Sequence, residues 1–333
     1  MSNTLSLPRR LGHVARMIAA FAGPPVMRWS PRPTLPATPR PTAHDLGQGI
    51  TLWRLPVGLV RIRNRHRALP PELAGVDDKL RFPVMMSDRQ ITGWLDCTAW
   101  LIDHPERRIL IDTGESAAFG TPAYFGDAAR RMGAVYPKII DATAAAGNDL
   151  PAMIAATGHA LTDIDLCVLT HTHSDHIGNL DVLPRTTRLL VSPEELVPAA
   201  RSGRLLAKLP QDGRLHQTAW RGAQGAFGAV MPLTERGDIF VIPTPGHTAG
   251  HQSVVIDLGD RRIILAGDAA FDDAQVADNV IPGIVEQRAA TLATYDMLRR
   301  AGLEKPGLTL FTHDPANAAK LARFTQGIVP TAS

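Results

Sequence analysis

Apolar residues along this 333-residue chain come in short runs broken by glycine, proline or charge, the pattern of buried strands more than of long helices. Residues 50–55 and 57–62 alternate as an antiparallel strand pair would. Residues 97–103 and 108–111 read as two strands joined by a turn at His104, Pro105 and Glu106. The runs 164–170, 187–191, 239–242, 254–258, 262–266 and 308–311 complete the strand series. Helical spacing appears at 150–157, 193–201, 286–301 and 315–324. Ser192 is the expected N-cap of the second of these helices, with Glu195 as its capping-box partner. Gly302 is expected to close the third. Residues 64–94 lack a period and predict a long loop, a lid or contact element. Residues 202–237, rich in glycine and polar side chains, are expected at a pocket rim. Strands interspersed with helices give an α/β fold class.

The polar residues that interrupt this pattern recur in one place. His171, His173, Asp175 and His176 fall within six positions directly after the apolar run 164–170. His247, Asp268 and His313 each stand at the end of a later strand run. A loop rooted on a buried strand is a rigid platform, and several such roots along one sheet edge can converge on one site. Imidazole and carboxylate together suit a borderline cation such as zinc. His171 and His173 alternate and can share one metal, while Asp175 and His176 can turn toward a second. Asp112 ends an earlier strand in Asp112-Thr113-Gly114. That tripeptide occurs once, so it lacks the paired carboxylate of an aspartic protease, and Asp112 reads as a turn residue supporting the ligands. His251, four residues past His247, reads the same way.

Composition narrows the class. Apolar residues make up 44% and charged residues 20%, ordinary for a globular chain with a sizeable core. Cys97 and Cys167 sit in apolar runs and read as buried thiols with no disulfide framework. No apolar run is long enough to span a bilayer, which excludes stable membrane insertion. The net charge of +3 conceals an asymmetry, because residues 1–40 hold six arginines and no acidic residue. The remaining body is therefore mildly acidic, and a nucleic-acid surface is excluded. Residues 11–21 predict a short amphipathic helix interrupted by Arg16. Pro24, Pro25, Pro31, Pro33, Pro36, Pro39 and Pro41 predict an extended linker or surface strap. Residues 1–45 thus read as a basic, proline-rich extension, disordered or loosely docked, on a domain over 46–333. Ala20, Phe21 and Ala22 resemble a signal cleavage site, but the apolar run before them is short. A cytoplasmic location is expected, with export through the basic segment as the alternative.

The hexapeptide 171–176 resembles the H-x-H-x-D-H signature of the metallo-β-lactamase fold superfamily, and the likeness runs over residues 47–325. Asp112-Thr113-Gly114 matches the early strand-end motif, and the segment from Thr244 to Ser253 the Thr-Pro-Gly-His-Thr-x-Gly-His element. Gly267-Asp268-Ala269 matches the bridging-aspartate motif, and Thr312-His313-Asp314 the final histidine. Within the superfamily the chain is most similar to the N-acyl-homoserine lactonase-like branch. That branch usually carries tyrosine three residues after the bridging aspartate, where this chain has Phe271.

The resemblance implies a four-layer αββα sandwich and a dinuclear zinc hydrolase. His171, His173 and His247 would hold one zinc, and Asp175, His176 and His313 the other, with Asp268 bridging. It implies that a metal-bridging hydroxide opens a lactone or ester carbonyl while Asp175 shuttles the proton, and it points to quorum quenching. Phe271 either packs beneath the site or lines it as an apolar wall for an acyl chain. A small lactone or ester is the expected partner, and a homodimer is compatible with the sequence. The alternatives are a glyoxalase II-like thioesterase and a hydrolase of β-lactams or phosphodiesters of the same fold. Further removed are a diiron oxidoreductase and a non-catalytic metal-binding sensor.

Overall fold

The structure, a computed structural model, describes residues 6–22, 40–73, 75–125, 129–144, 148–198 and 203–327. Thirteen strands are defined among them: β1 (Thr42–Asp45), β2 (Thr51–Ile62), β3 (Leu95–His104), β4 (Arg107–Ile111), β5 (Ile140–Thr143), β6 (Leu166–Val168), β7 (Arg188–Val191), β8 (Leu215–Gln217), β9 (Met231–Pro232), β10 (Ile239–Pro243), β11 (Gln252–Asp257), β12 (Arg262–Leu265) and β13 (Gly307–Leu310). They make two sheets. The first runs β1-β2-β3-β4-β6-β7-β8, with β5 also paired to β2, and the second runs β13-β12-β11-β10-β9.

The alternation of side chains explains why the sheets stack. Trp100 and Ile102 of β3 point into the space between the sheets, where they meet Val241 of β10, Val254 and Ile256 of β11, and Ile263 and Leu265 of β12. The intervening residues point the other way. Ala99 and Leu101 pack outward against Leu150, Met153 and Ile154 of the helix Leu150–Ala156. Phe240, Ile242, Val255 and Ile264 pack outward against Tyr295, Leu298 and Ala301 of the helix Arg288–Glu304. Helix, sheet, sheet, helix is the four-layer sandwich expected from the sequence.

Topology then gathers the strand ends. β4, β6 and β7 run parallel, as do β12 and β13. β10 lies antiparallel to β11, which lies antiparallel to β12, so β10 and β12 share a direction. The carboxyl ends of β4, β6 and β7 therefore emerge along one edge of the first sheet, and those of β10, β12 and β13 along one edge of the second.

Several element boundaries differ from expectation. Residues 50–62 are not a strand pair but one strand, β2, whose register shifts between Pro56 and Leu59. A proline and a glycine together mimic a turn in the sequence, yet here they make a bulge. The segment 64–94 is not a loop: it contains the helices Asn64–Arg67 and Asp78–Met86 and a short turn Pro71–Leu73. At 193–201 the structure has only the 3-10 turn Pro193–Leu196, without a side-chain cap from Ser192. Residues 199–201 lie outside those described. The helix Arg288–Glu304 runs through Gly302. Thr42–Asp45, assigned by sequence to the extension, pairs with β2. The helix Leu7–Ala22 seats Ala20 against Met85 and Met86, and His13 Nδ1 lies 2.9 Å from Ser87 Oγ. The prolines between 24 and 39 lie outside the described residues. Among those described, no helix is long and apolar enough to cross a membrane.

Candidate metal centre

At the common edge, loops from both sheets meet. His171, His173, Asp175 and His176 follow β6. His247 follows β10. Asp268 and His313 each lie three residues past the paired ends Leu265 and Leu310 of β12 and β13. All seven side chains are at least nine-tenths buried.

One half of the centre is made of imidazoles. His173 Nδ1 lies 3.0 Å from His171 Nε2 and 2.9 Å from His247 Nε2. His247 Nδ1 donates to the Ile284 carbonyl at 3.1 Å, which aims Nε2 inward. Burial, with the neighbouring imidazoles, pushes His171 and His247 well below the usual histidine value. Three imidazoles whose inward nitrogens converge are a nitrogen site for a cation.

The other half is mixed. His313 Nε2 sits 3.2 Å from Asp175 Oδ2 and 3.4 Å from Asp268 Oδ2, while its Nδ1 donates to the Asp96 carbonyl at 2.8 Å. His176 Nε2 and Asp268 Oδ1 face each other at 3.3 Å, yet neither has a hydrogen-bond partner among the described residues. Asp268 Oδ2 also reaches to 3.6 Å from His247 Nε2, so this carboxylate spans both halves. Burial acts to lower His176 and His313, but Asp268 with Asp112 and Asp175 overcomes it. His176 is raised well above its usual value and His313 to about 10. Burial works against ionisation of Asp175, but His176 and His313 hold it down at about 2. A buried anionic pair that draws positive charge, with two orphaned polar atoms beside it, fits a divalent cation.

Second contacts fix these rings. Asp112, at the end of β4, adopts φ +58° and turns its carboxylate back into the site. It accepts from Thr170 N at 2.7 Å, from Thr170 Oγ1 at 2.8 Å, and lies 2.7 Å from His176 Nδ1. His176 Nε2 is thereby left to face Asp268. His251 has both ring nitrogens engaged, Nδ1 with Thr244 Oγ1 at 2.8 Å and Nε2 accepting from Asp268 N at 3.0 Å. It orients the aspartate and has no lone pair left for a metal. Gly267, immediately before Asp268, sits at φ +52°, and a Cβ there would come within 2.7 Å of His251 Nε2.

Phe271 does both things weighed from the sequence. It packs in the core of the first sheet's outer face and also lines the cavity, its ring stacked on His313 at 5.5 Å. Two other residues at the site were not picked out by sequence reasoning. Glu195 accepts from Thr172 N and Oγ1 at 2.9 and 2.8 Å and from Thr248 Oγ1 at 2.6 Å. It ties the hexapeptide loop to the His247 loop, and its capping-box spacing masked that task. His66 lies on the short helix Asn64–Arg67 and lines the cavity. A lone histidine in an aperiodic stretch gives no signal. Cys97 lies beside Asp175 and His313, and burial raises its thiol well above the usual value, so it stays protonated.

The cavity leading to the centre has an open volume of about 50 Å³ and a largely apolar wall that includes Val60, Ile62, Ile139, Phe271 and Ile284.

The model of the metallo-beta-lactamase superfamily matches residues 92–321. The chain is 26% identical over 237 residues to the N-acyl homoserine lactonase AttM of Agrobacterium fabrum, covering 68% of this chain and 85% of that one. It superposes on an N-acyl homoserine lactone hydrolase with the product N-hexanoyl-L-homoserine bound at the catalytic metal centre, with TM-score 0.60, 17% identity and coverage of 80% and 94%. The dizinc quorum-quenching lactonase AidC gives TM-score 0.55, 17% identity and coverage of 83% and 91%. By its matched motifs and its sandwich, this chain belongs to the metallo-beta-lactamase superfamily, as a hydrolase related at low identity to N-acyl homoserine lactonases.

Proposed function

We propose that the protein is a dinuclear zinc hydrolase of lactone or ester carbonyls, with an N-acyl-homoserine lactone as the first substrate to test. His171, His173 and His247 would hold one ion, and Asp175, His176 and His313 the other, with Asp268 between them. The observation that carries this reading is the facing pair His176 Nε2 and Asp268 Oδ1, 3.3 Å apart without hydrogen-bond geometry and buried among five further imidazole and carboxylate donors. Such a nitrogen and oxygen set suits zinc, and the similar lactonase AidC is a dizinc protein.

When bound, the metal pair supplies Lewis-acid polarisation of a carbonyl and activation of water. The chain supplies the rest. Asp175 lines the cavity and is held ionised by its histidine neighbours, which supports it as the group that would take the attacking water's proton. The wall of Val60, Ile62 and Ile139 excludes bulk water and suits an acyl chain. Asp112, His251 and Glu195 hold the donors in their orientation.

The test is hydrolysis by metal-loaded protein of lactones, alkyl and aryl esters, thioesters, phosphodiesters and a β-lactam, alongside metal analysis. We expect about two metals per chain and the highest kcat/KM on a lactone or ester. A metal content near one that supplementation does not raise would sink the dinuclear reading. A preference for thioester, phosphodiester or β-lactam would replace the substrate class.

A further inference from the structure

A hydrolysed lactone or alkyl ester releases a poor leaving group, an alkoxide, so a donor placed at that oxygen accelerates the reaction. Phe271 has none to give. The three tyrosines are committed elsewhere: Tyr124 donates to the Ser174 carbonyl, Tyr136 to the Gly203 carbonyl and Tyr295 to the Val280 carbonyl. Three cavity-lining groups carry buried polar atoms without a hydrogen-bond partner among the described residues, Asp268 Oδ1, Ser174 Oγ and His66 Nδ1, and of these the carboxylate has no proton to donate. Ser174 is 0% exposed, whereas His66, although its Nδ1 is buried, keeps 7% of its surface open, and no side-chain hydrogen bond among the described residues engages its Nε2.

The placement of His66 is rigid. Its helix is clasped by residues from the far side of the site: Gly283 N donates to the His66 carbonyl at 3.0 Å and Leu69 N to the Ile281 carbonyl at 3.3 Å. A side chain at 283 would drive its Cβ to 2.1 Å from the Arg65 carbonyl. Arg67 pairs with Asp272 at 2.7 Å, and Gln275 Nε2 donates to the Arg67 carbonyl at 2.9 Å. Gln275 in turn accepts from Phe271 N at 2.9 Å. The helix is thus fastened to the residues that follow Asp268. An imidazole carries at least one N–H in either protonation state, so the ring can donate.

We propose that His66, contributed by the segment 64–94, is the hydrogen-bond donor to the leaving alkoxide oxygen of the substrate. The proton stays on the imidazole, and the alkoxide takes up the proton that Asp175 removed from the attacking water; the His66 bond strengthens as charge develops on the oxygen. The inference rests on the carbonyl-hydrolase reading above and is tested so that its failure can be told apart from the failure of that reading.

His66→Phe and His66→Gln are compared with wild type as full-length, metal-loaded proteins, with metal content measured in each. For an alkyl lactone, His66→Phe is expected to lower kcat by about 30-fold, and His66→Gln, which keeps an N–H donor, to recover most of it. For a 4-nitrophenyl ester, whose leaving group needs little help, the loss should be about twofold. Metal content should not change. In parallel, wild type labelled with 15N-histidine is titrated with the ring-opened hydroxy acid. The His66 ring resonance, assigned by its absence in His66→Phe, is expected to shift. Equal losses on both substrates, or none, with a silent His66 resonance, would overturn the donor role and leave hydrolysis standing. A protein that opens no lactone or ester would sink the hydrolytic reading and the donor role with it, whatever the His66 resonance does.

Discussion

Glu115 is the buried acid that the chemistry does not require. It sits 0% exposed beside the loop after β4, where Ser116 N donates to its Oε1 at 2.7 Å and Oε2 has no partner among the described residues. Burial, reinforced by the Asp175 charge, raises it to about 8. A folded value above the unfolded one means that its stabilising contribution is fully present below about pH 4.5 and is lost as pH rises through about 8. Glu115→Gln keeps the acceptor and removes the titration. In urea melts of chelated protein, wild type should lose on the order of 4 kcal/mol relative to Glu115→Gln between pH 4.5 and 8.5. Parallel pH curves for the two proteins would show that Glu115 is solvated. At this scale the proposed metal donors stood out in the sequence because charged and imidazole side chains at strand ends break an apolar period. Glu195, Glu115 and His66 were not, because a single polar residue in a loop or cap-like spacing looks the same whether it is solvated or buried. Only the packing around it distinguishes the two.

The helices show where local pattern stops being informative. The helix Asp78–Met86 contains Pro83 and little amphipathic character, so residues 64–94 gave no period. It is held by tertiary contacts: Val84 packs with Leu69, Leu73 and Val76, and Met85 and Met86 receive Ala20 and Met17 from the helix Leu7–Ala22. The residues next along carry this support toward the site, since Asp88 Oδ2 accepts from Arg65 N at 2.9 Å, one residue before His66. The amino-terminal helix is therefore a buttress. Deleting residues 1–39 exposes Met85 and Met86, fully buried in the whole chain, and should cost about 3 kcal/mol in urea denaturation. Extending the deletion to residue 45 also strips β1 from β2 and should cost more. Equal urea midpoints for the full and shortened chains would mean that the helix contributes nothing to folding.

Across the whole molecule, the donors straddle the sandwich. His171, His173, Asp175 and His176 hang from the first sheet, while His247, Asp268 and His313 hang from the second, so each proposed ion would cross-link the two layers at one edge. The strand order that makes this possible was partly visible, as repeated strands ending in a His or Asp. The pairing of β4 with β6 and of β12 with β13 was not, since parallel partners are distant in sequence and only the closed core selects them. A cross-link at the edge couples metal to global stability. An ion held at 100 times its dissociation constant adds about 2.7 kcal/mol, and two add about twice that, provided the unfolded chain binds neither. Chelation of the purified protein should therefore lower its Tm by several degrees, and adding zinc back should restore it. Asp268→Ala removes the carboxylate shared by both halves, so its Tm should already be low and respond little to chelator. The decisive measurement is the melting temperature followed together with bound metal. A protein shown to have lost its metal while melting at the same temperature would mean that the inter-sheet core, from Trp100 to Leu265, holds the layers together unaided.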